Sequence, residues 1–429
     1  MINSFVLKGD LCYSAGPSEI KTIAAGYLVC EDGISKGGYE QLPDMYAQLP
    51  LIDCGGKLII PGLVDLHMHA PQFGYRALGM DLELLEWLNT YTFPEEAKYS
   101  DPKYARAAYD WVVDDLKRGP NTRCVLFASA HSEATEILMD AMEKTGLVSY
   151  VGRVNMDRNA PDGLRERDAK WAFDQTSDWA QRTANKYVRT KPILTPRFIP
   201  SCTDALMMDL AVYQRETGLP IQSHLSENKN EIAWVQQLCP SSTSYTDAYY
   251  QFGLMRGLPT IMAHCVWCDD DEVAHLKQSG TFVAHCPQSN TNIASGIAPI
   301  RHYLNAGLNM GLGSDVAGGA HTSIFRAMTD AIQVSKLRWR LVDQADAPLT
   351  MAEAFYLATV GGGAFFGKVG SFDEGYEFDA LVINDAGLRS PRRLSIEDRL
   401  ARAAYLSDDR HIVRKYVRGL EVKERQALS

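Results

Sequence analysis

The sequence has little that would place it in a membrane, in an oxidising compartment or on a nucleic acid. No apolar run approaches the ~20 residues that span a bilayer, so no membrane partner is expected. The stretch from Met1 to Lys8 lacks a basic region followed by an apolar core, and no export is expected. Cysteine is sparse and odd in number, nine scattered over 429 residues. That usage excludes a disulfide scaffold and fits a reduced, cytoplasmic protein. Basic charge is in deficit, with 43 Lys and Arg against 53 Asp and Glu, a net charge of -10. Binding a phosphate backbone needs clustered Lys and Arg, so no nucleic-acid partner is expected. The small group Arg389, Arg392 and Arg393 reads as solvated surface. Low-complexity segments and short repeats are also missing.

What is present is ordinary globular material, 46% hydrophobic and 22% charged, enough for one large domain and a smaller companion. Short apolar or β-branched runs recur at 57–64, 122–128, 147–154, 191–198, 219–225, 259–265, 280–286 and 308–314. Helical patterns separate them. Asp101-Pro102 reads as an N-cap followed by proline in the first turn, and 227–238, 269–279 and 298–306 are further helices. Strands alternating with helices imply parallel pairing, and eight such units predict an α/β fold of the closed (β/α)8 TIM-barrel type, with an open doubly wound sheet as the rival. The ends read differently. Tyr27 to Cys30, Phe378 to Ile383 and 413–422 are strand-like, and neither end buries much alone. The expected organisation is a small β-sandwich-like domain from 1–56 and 372–429 beside a barrel over 57–371.

Polar residues gather at predicted strand ends. His67 and His69 close the first strand two residues apart, so both imidazoles face one way at the C-terminal mouth where barrel active sites are built. An isolated pair of this kind is more often two polar residues ending a strand. His224 ends the fifth strand, His264 the sixth and Asp315 the eighth, and this joint placement points to a site. Three or more imidazoles with one carboxylate suit zinc, which takes N and O ligands and leaves a position for water. His285, ending the seventh strand, reads as a supporting residue. His131, His275, His302, His321 and His411 fall in helices or loops and read as structural.

The ordered set P-G-L-V-D-x-H-x-H at Pro61–His69, H-x-x-E from His224 to Glu227, A-H at Ala263-His264, H-C-P-x-S-N from His285 to Asn290 and G-S-D at Gly313–Asp315 resembles the metal-dependent amidohydrolase superfamily. Within it, the segments His69 to Phe73, Met80 to Leu88, Tyr91 to Glu96, Thr195 to Phe198, Gln222 to Asn228 and Ser314 to Gly319 resemble the guanine deaminases. The resemblance implies one Zn2+ per chain, held by His67, His69, His224 and Asp315. It implies Glu227 as proton shuttle and His264 as a histidine beside the reacting centre. Gln72, Arg197 and Phe198 are then guanine-recognition residues. The implied reaction is hydrolytic deamination of guanine to xanthine and ammonia in purine catabolism or salvage, with a metal-generated hydroxide attacking C2. A homodimer is the expected assembly. Two positions depart from the family pattern, Gly74 at the pocket wall and Arg123-Cys124 in the second strand.

Four other readings compete. A related deaminase or chlorohydrolase acting on a triazine, pterin or nucleoside would share the metal residues and differ around Gln72 and Arg197. A dihydropyrimidinase-like enzyme needs a lysine at the metal level, and Lys191 lies at the wrong end of its strand. The unrelated nucleoside-deaminase fold is suggested by His131-Ser132-Glu133 with Cys265-Val266-Trp267-Cys268, but His264 stands where that signature needs proline. A non-catalytic scaffold of the same fold would be free to lose ligands, yet each expected ligand and Glu227 are present.

Overall fold

Two groups of parallel strands carry the polar strand ends. In the computed structural model, which describes residues 4–422, the strands Leu63–His69, Asn121–Phe127, Val148–Gly152 and Thr190–Pro192 form one four-stranded sheet. Ile221–Leu225, Thr260–His264, Phe282–His285 and Asn309–Leu312 form another, also parallel. Val154–Asn155 pairs with Thr195–Pro196, and a bridge from Leu194 to Ile221 leads into the second sheet. At the other side the Asp315 N–H donates to the His67 carbonyl, and the His69 N–H to Val316, both at 2.9 Å. The fold is thus a mixed α/β arrangement of parallel strands. Leu63–His69 and Ile221–Leu225 are buried at every position, as expected for strands covered on both faces.

Helices follow the strands and begin where the capping chemistry places them. The Asp101 carboxylate accepts from the Lys103 N–H at 2.8 Å and opens Pro102–Arg118. Asp269 and Glu272 cap Asp270–Ser279 reciprocally. Asn228 does the same with Glu231 for Lys229–Leu238, so this helix starts two residues beyond Glu227 and leaves Glu227 in the loop over the strand end.

The two ends of the chain build one sheet. Its order is Leu420–Glu421, Ile412–Val417, Ala380–Ile383, Leu51–Pro61, Phe5–Gly16, Glu19–Glu31 and Ile34–Tyr39. Phe5, Phe378 and Tyr416 pack at its centre, with ring centroids 5.3 and 5.1 Å from Phe5. The run expected as one strand over 57–64 is divided. Its first part extends Leu51–Pro61 in the terminal sheet, and Leu63–His69 begins after Gly62. A Cβ at Gly62 would lie 2.2 Å from the Thr122 side chain, so this crossing point between sheets requires glycine. Of the expected terminal segments, 1–3 and 423–429 lie outside the described residues. Among the described residues no helix is long and apolar enough to cross a membrane.

Candidate functional site

His67, His69, His224, His264 and Asp315 converge at the C-terminal ends of their strands, all buried. His69 Nε2 and His224 Nε2 are 3.1 Å apart. His67 Nε2 lies 3.2 Å from Asp315 Oδ1 but off the line a hydrogen bond needs. His69 and His224 thus meet within hydrogen-bond distance while His67 does not bond, and all of these donors crowd one space. The rings are fixed from behind. His224 Nδ1 donates to the Arg197 carbonyl at 2.6 Å, which leaves a lone pair on Nε2. His264 Nδ1 meets Asn290 Oδ1 at 2.8 Å. Asp65, wholly buried, accepts from the Ser314 hydroxyl at 2.6 Å, the Ser314 N–H at 3.0 Å and the His67 N–H at 3.2 Å, and so ties the first strand end to the last.

Burial keeps these imidazoles neutral, driving His67 below the ordinary histidine value and His69 and His224 well below it. Neutral rings are the form that binds a cation. Burial alone would raise the Asp315 carboxyl, but His67, His264 and His69 hold it well below the usual range. The donor set His67, His69 and Asp315 lies within 4.8 Å in mutual separation, as does His67, His224 and His264. Such a set can hold a metal ion. His264 and Asp315 also adopt left-handed backbone, φ 72° and 43°, as does Ser226 at 47°. Non-glycine residues held in that region carry local strain of about 1–3 kcal/mol, which tends to collect at functional sites.

Glu227 stands over this cluster. Its Oε1 accepts from the Ser295 hydroxyl at 2.9 Å, and its Oε2 is 3.5 Å from His264 Nε2. Burial pushes its carboxyl up to about 7, against the lowering effect of His264. A cavity opens above. Its floor is His69, His224, His264, Glu227 and Asp315, and Leu84, Trp87, Leu88, Phe198 and Ile293 supply apolar walls. Gln72 and Arg197 are its remaining polar lining.

Eight of the nine site residues expected from the sequence therefore line one cavity, and the ninth, His67, joins the histidines and Asp315 of its floor. His285 lies beside them, buried, with neither ring nitrogen in a hydrogen bond. Among the described residues, His131 and Glu133 join no group able to hold a metal with Cys265 and Cys268. Lys191 donates to the Ala184 and Tyr187 carbonyls, away from the site. Four residues given no role from the sequence also matter: Asp65, Asn290, Ser295 and Glu96. Glu96 is buried and binds both Gln72 and Arg197. Asp65, Asn290 and Glu96 fall inside motifs already singled out, but nothing in the sequence marks Ser295.

Arg123, the departure in the second strand, turns away from the cavity. Its guanidinium is buried and grips Asp379 at 2.6 and 2.9 Å and Glu377 at 2.7 Å. It fastens the parallel strands to the terminal sheet.

Known proteins match over nearly all of this architecture. The amidohydrolase family model covers residues 58–422. A guanine deaminase of Dictyostelium discoideum is 37% identical over 97% of this chain and 98% of its own length. The guanine deaminase of Escherichia coli is 33% identical, covering 95% and 93%. The crystal structure of guanine deaminase from C. acetobutylicum, with guanine bound in its active site, superposes with a TM-score of 0.95 at 44% identity, over 98% of this chain and 100% of that one. On the shared motifs, the shared fold and this degree of identity, the chain belongs to the guanine deaminases of the amidohydrolase family.

Proposed function

We propose that this chain hydrolyses guanine to xanthine and ammonia, in purine breakdown or salvage, with a single zinc ion held by His67, His69, His224 and Asp315. The observation that carries the reading is one cavity with two chemically distinct parts. Its floor has imidazole nitrogens and carboxylates aimed at common space, and its wall has a buried Gln72–Arg197 pair suited to the edge of a flat polar base. The 44% identical relative holds guanine in its active site, which supports the same ligand here. The donor set also fits the metal. Both nitrogens of His67 are buried without a hydrogen-bond partner, and His224 offers a lone pair fixed by the Arg197 carbonyl. Three imidazoles and one carboxylate leave room for water on zinc.

When bound, zinc would lower the pKa of water to about 7 and so supply the nucleophile. The chain's own groups then handle protons and charge. Glu227, with a carboxyl raised to about 7, exists in both forms near neutral pH. Glu227 carries one proton of the attacking water to the ring nitrogen beside C2, Asp315 accepts the proton that remains on the attacking oxygen, and Glu227 passes that second proton to the departing amine. Ser295 holds Oε1 and leaves Oε2 to exchange. Burial works against the charged form of His264, but Glu227 and Asp315 hold its pKa above the ordinary histidine value, and His264 donates to the oxygen that gains charge at C2. Arg197 donates to O6, Gln72 reads the adjoining edge, and Phe198 packs on the ring face.

In the same reading the two parallel sheets are one closed (β/α)8 barrel, expected over 57–371 but starting at Leu63 because Leu51–Pro61 pairs in the terminal sheet, beside a small domain built by the two terminal segments. The hydrogen bonds that Asp315 N–H donates to the His67 carbonyl and His69 N–H donates to the Val316 carbonyl support closure. The working unit is a cytoplasmic homodimer. The test is metal analysis with a substrate panel. About one zinc per chain and a kcat/KM for guanine above those for guanosine, adenine, cytosine and ammeline are expected. A triazine or nucleoside that outruns guanine would keep the family and overturn the substrate.

A further inference from the structure

Gln72 and Arg197 face the cavity from segments far apart in sequence, and one carboxylate holds both. Glu96 ends the short helix Phe93–Glu96 and is 3% exposed. Its Oε1 accepts from Gln72 Nε2 at 2.8 Å, and its Oε2 accepts from Arg197 Nη1 at 2.7 Å. Gln72 Oε1 in turn accepts from the Ala317 N–H at 3.1 Å. These bonds decide which way the Gln72 amide points. A carboxylate can only accept, so the NH2 group must face Glu96, and the Ala317 N–H can only donate, so the oxygen must face Ala317. Arg197 is held by one nitrogen, and among the described residues its other side-chain N–H groups have no hydrogen-bond partner. Glu96 also cancels the charge of Arg197 inside a buried wall.

We infer that Glu96 is a specificity-determining positioning residue: it locks Arg197 and Gln72 into one donor and acceptor array that selects a neutral 6-oxopurine. This rests on the reading of the cavity as a guanine site. Without Glu96, the guanidinium has no fixed direction and the amide can flip, so the wall no longer favours an acceptor over a donor at the purine 6-position. An uncompensated arginine would also favour anionic ligands over a neutral base. Fixed polar groups discriminate strongly because an unsuitable ligand leaves them unpaired, with ratios of about 10⁴ at well-built sites. Loosely held groups reorient and discriminate little. Glu96 itself need not touch the base.

The test compares guanine with 2-aminopurine, which carries the same 2-amino group but no oxygen at C6. Ammonia release is measured for the wild type, Glu96→Gln, Glu96→Leu, Arg197→Met and the double variant Glu96→Leu/Arg197→Met, with metal content and Tm for each. The wild type should prefer guanine by about 10²-fold or more, below the strongest discrimination such sites reach. Glu96→Leu should lose most of that preference, chiefly through guanine's KM, while its metal content and 2-aminopurine turnover change little. Glu96→Gln keeps the shape but offers a donor to one of its two donor partners, and should fall between; it also serves if Glu96→Leu does not fold. In the Arg197→Met background, removing Glu96 should change the ratio no further. An unchanged guanine preference in the Glu96 variants, or independent effects in the double variant, overturns the inference while leaving guanine as substrate. A wild type without guanine preference overturns both.

Discussion

Two of the buried charged clusters among the described residues are built on opposite principles. Around Arg123, most donors and acceptors answer one another, and of its guanidinium nitrogens Nη1 alone has no hydrogen-bond partner among the described residues. Arg123 holds Asp379 and Glu377, Arg418 reaches the same Glu377 at 2.7 Å, and Lys415 donates to the Leu116 and Asn121 carbonyls at 3.0 Å each. Around His67 the arrangement is left open. Both ring nitrogens of His67 lack a hydrogen-bond partner, and the Nε2 atoms of His69 and His224 point at each other. Burying a polar group costs free energy unless it is paired. A closed cluster recovers that cost within the fold, whereas an open one needs something further, here a metal and a substrate. Burial alone therefore does not mark a site. The direction of the free lone pairs does.

If the contrast is sound, substitutions in the open cluster should abolish chemistry while the fold survives. The largest effect expected is for His67→Ala, which should lose bound metal and guanine turnover together, by elemental analysis and ammonia release. Retained activity would remove His67 from the ligand set. Arg123→Met should do the reverse. Removing one partner of a buried ion pair leaves the other charge unpaired, at a cost of about 3–5 kcal/mol. Asp379, 2% exposed, would be that charge. Denaturant melts should show the loss, while kcat on the folded fraction stays near wild type. Glu227→Gln belongs to the open side and should keep its metal and Tm but lose at least about 10²-fold in kcat, the low end for general acid–base catalysis. Near-normal turnover would remove Glu227 as the proton carrier.

The sequence foretold the open cluster better than the closed one. Periodic features were legible. The strands carrying His67, His224 and His264 lie where apolar runs were read, Asp315 follows its strand in the loop beyond Leu312, and Asp101 caps its helix as the Asp-Pro pair predicts. What could not be read depended on distant partners. The run over 191–198 shrinks to Thr190–Pro192 and Thr195–Pro196, since proline cannot donate to a ladder. The break at Gly62 follows from the approach of Thr122. Glu96 meets Arg197 across 101 residues, and Ser295 meets Glu227 across 68. Neither has a periodic signature. Arg123 looked like an exception to a family pattern, and its meaning emerged only when the terminal sheet supplied Asp379 and Glu377.

The smallest effect expected is a pH dependence of stability from the closed cluster, with none of it reaching the substrate. Lys415 is wholly buried, and burial pulls its ammonium down from 10.5 to about 7. Its two recorded bonds, to the carbonyls of Leu116 and Asn121, need two N–H donors, and a neutral amine has two. The deprotonated side chain therefore fits its surroundings as well as the charged one. Because the folded pKa lies below the unfolded one, the unfolded chain binds more protons between about pH 7 and 10. Stability should then rise with pH across that window, by up to about 1.4 kcal/mol per pH unit from this one group. The penalty is full below pH 7, where lysine is charged in both states, and fades as the pH climbs toward the unfolded value. Other groups titrate in the same range, so the measurement is the difference in unfolding free energy between the wild type and Lys415→Met. Methionine leaves the two carbonyls without a donor at every pH, a constant offset. The difference should move in favour of the wild type from pH 7 to pH 10. A flat difference would show that Lys415 keeps an ordinary pKa, and that even the closed cluster is wetter than its geometry implies.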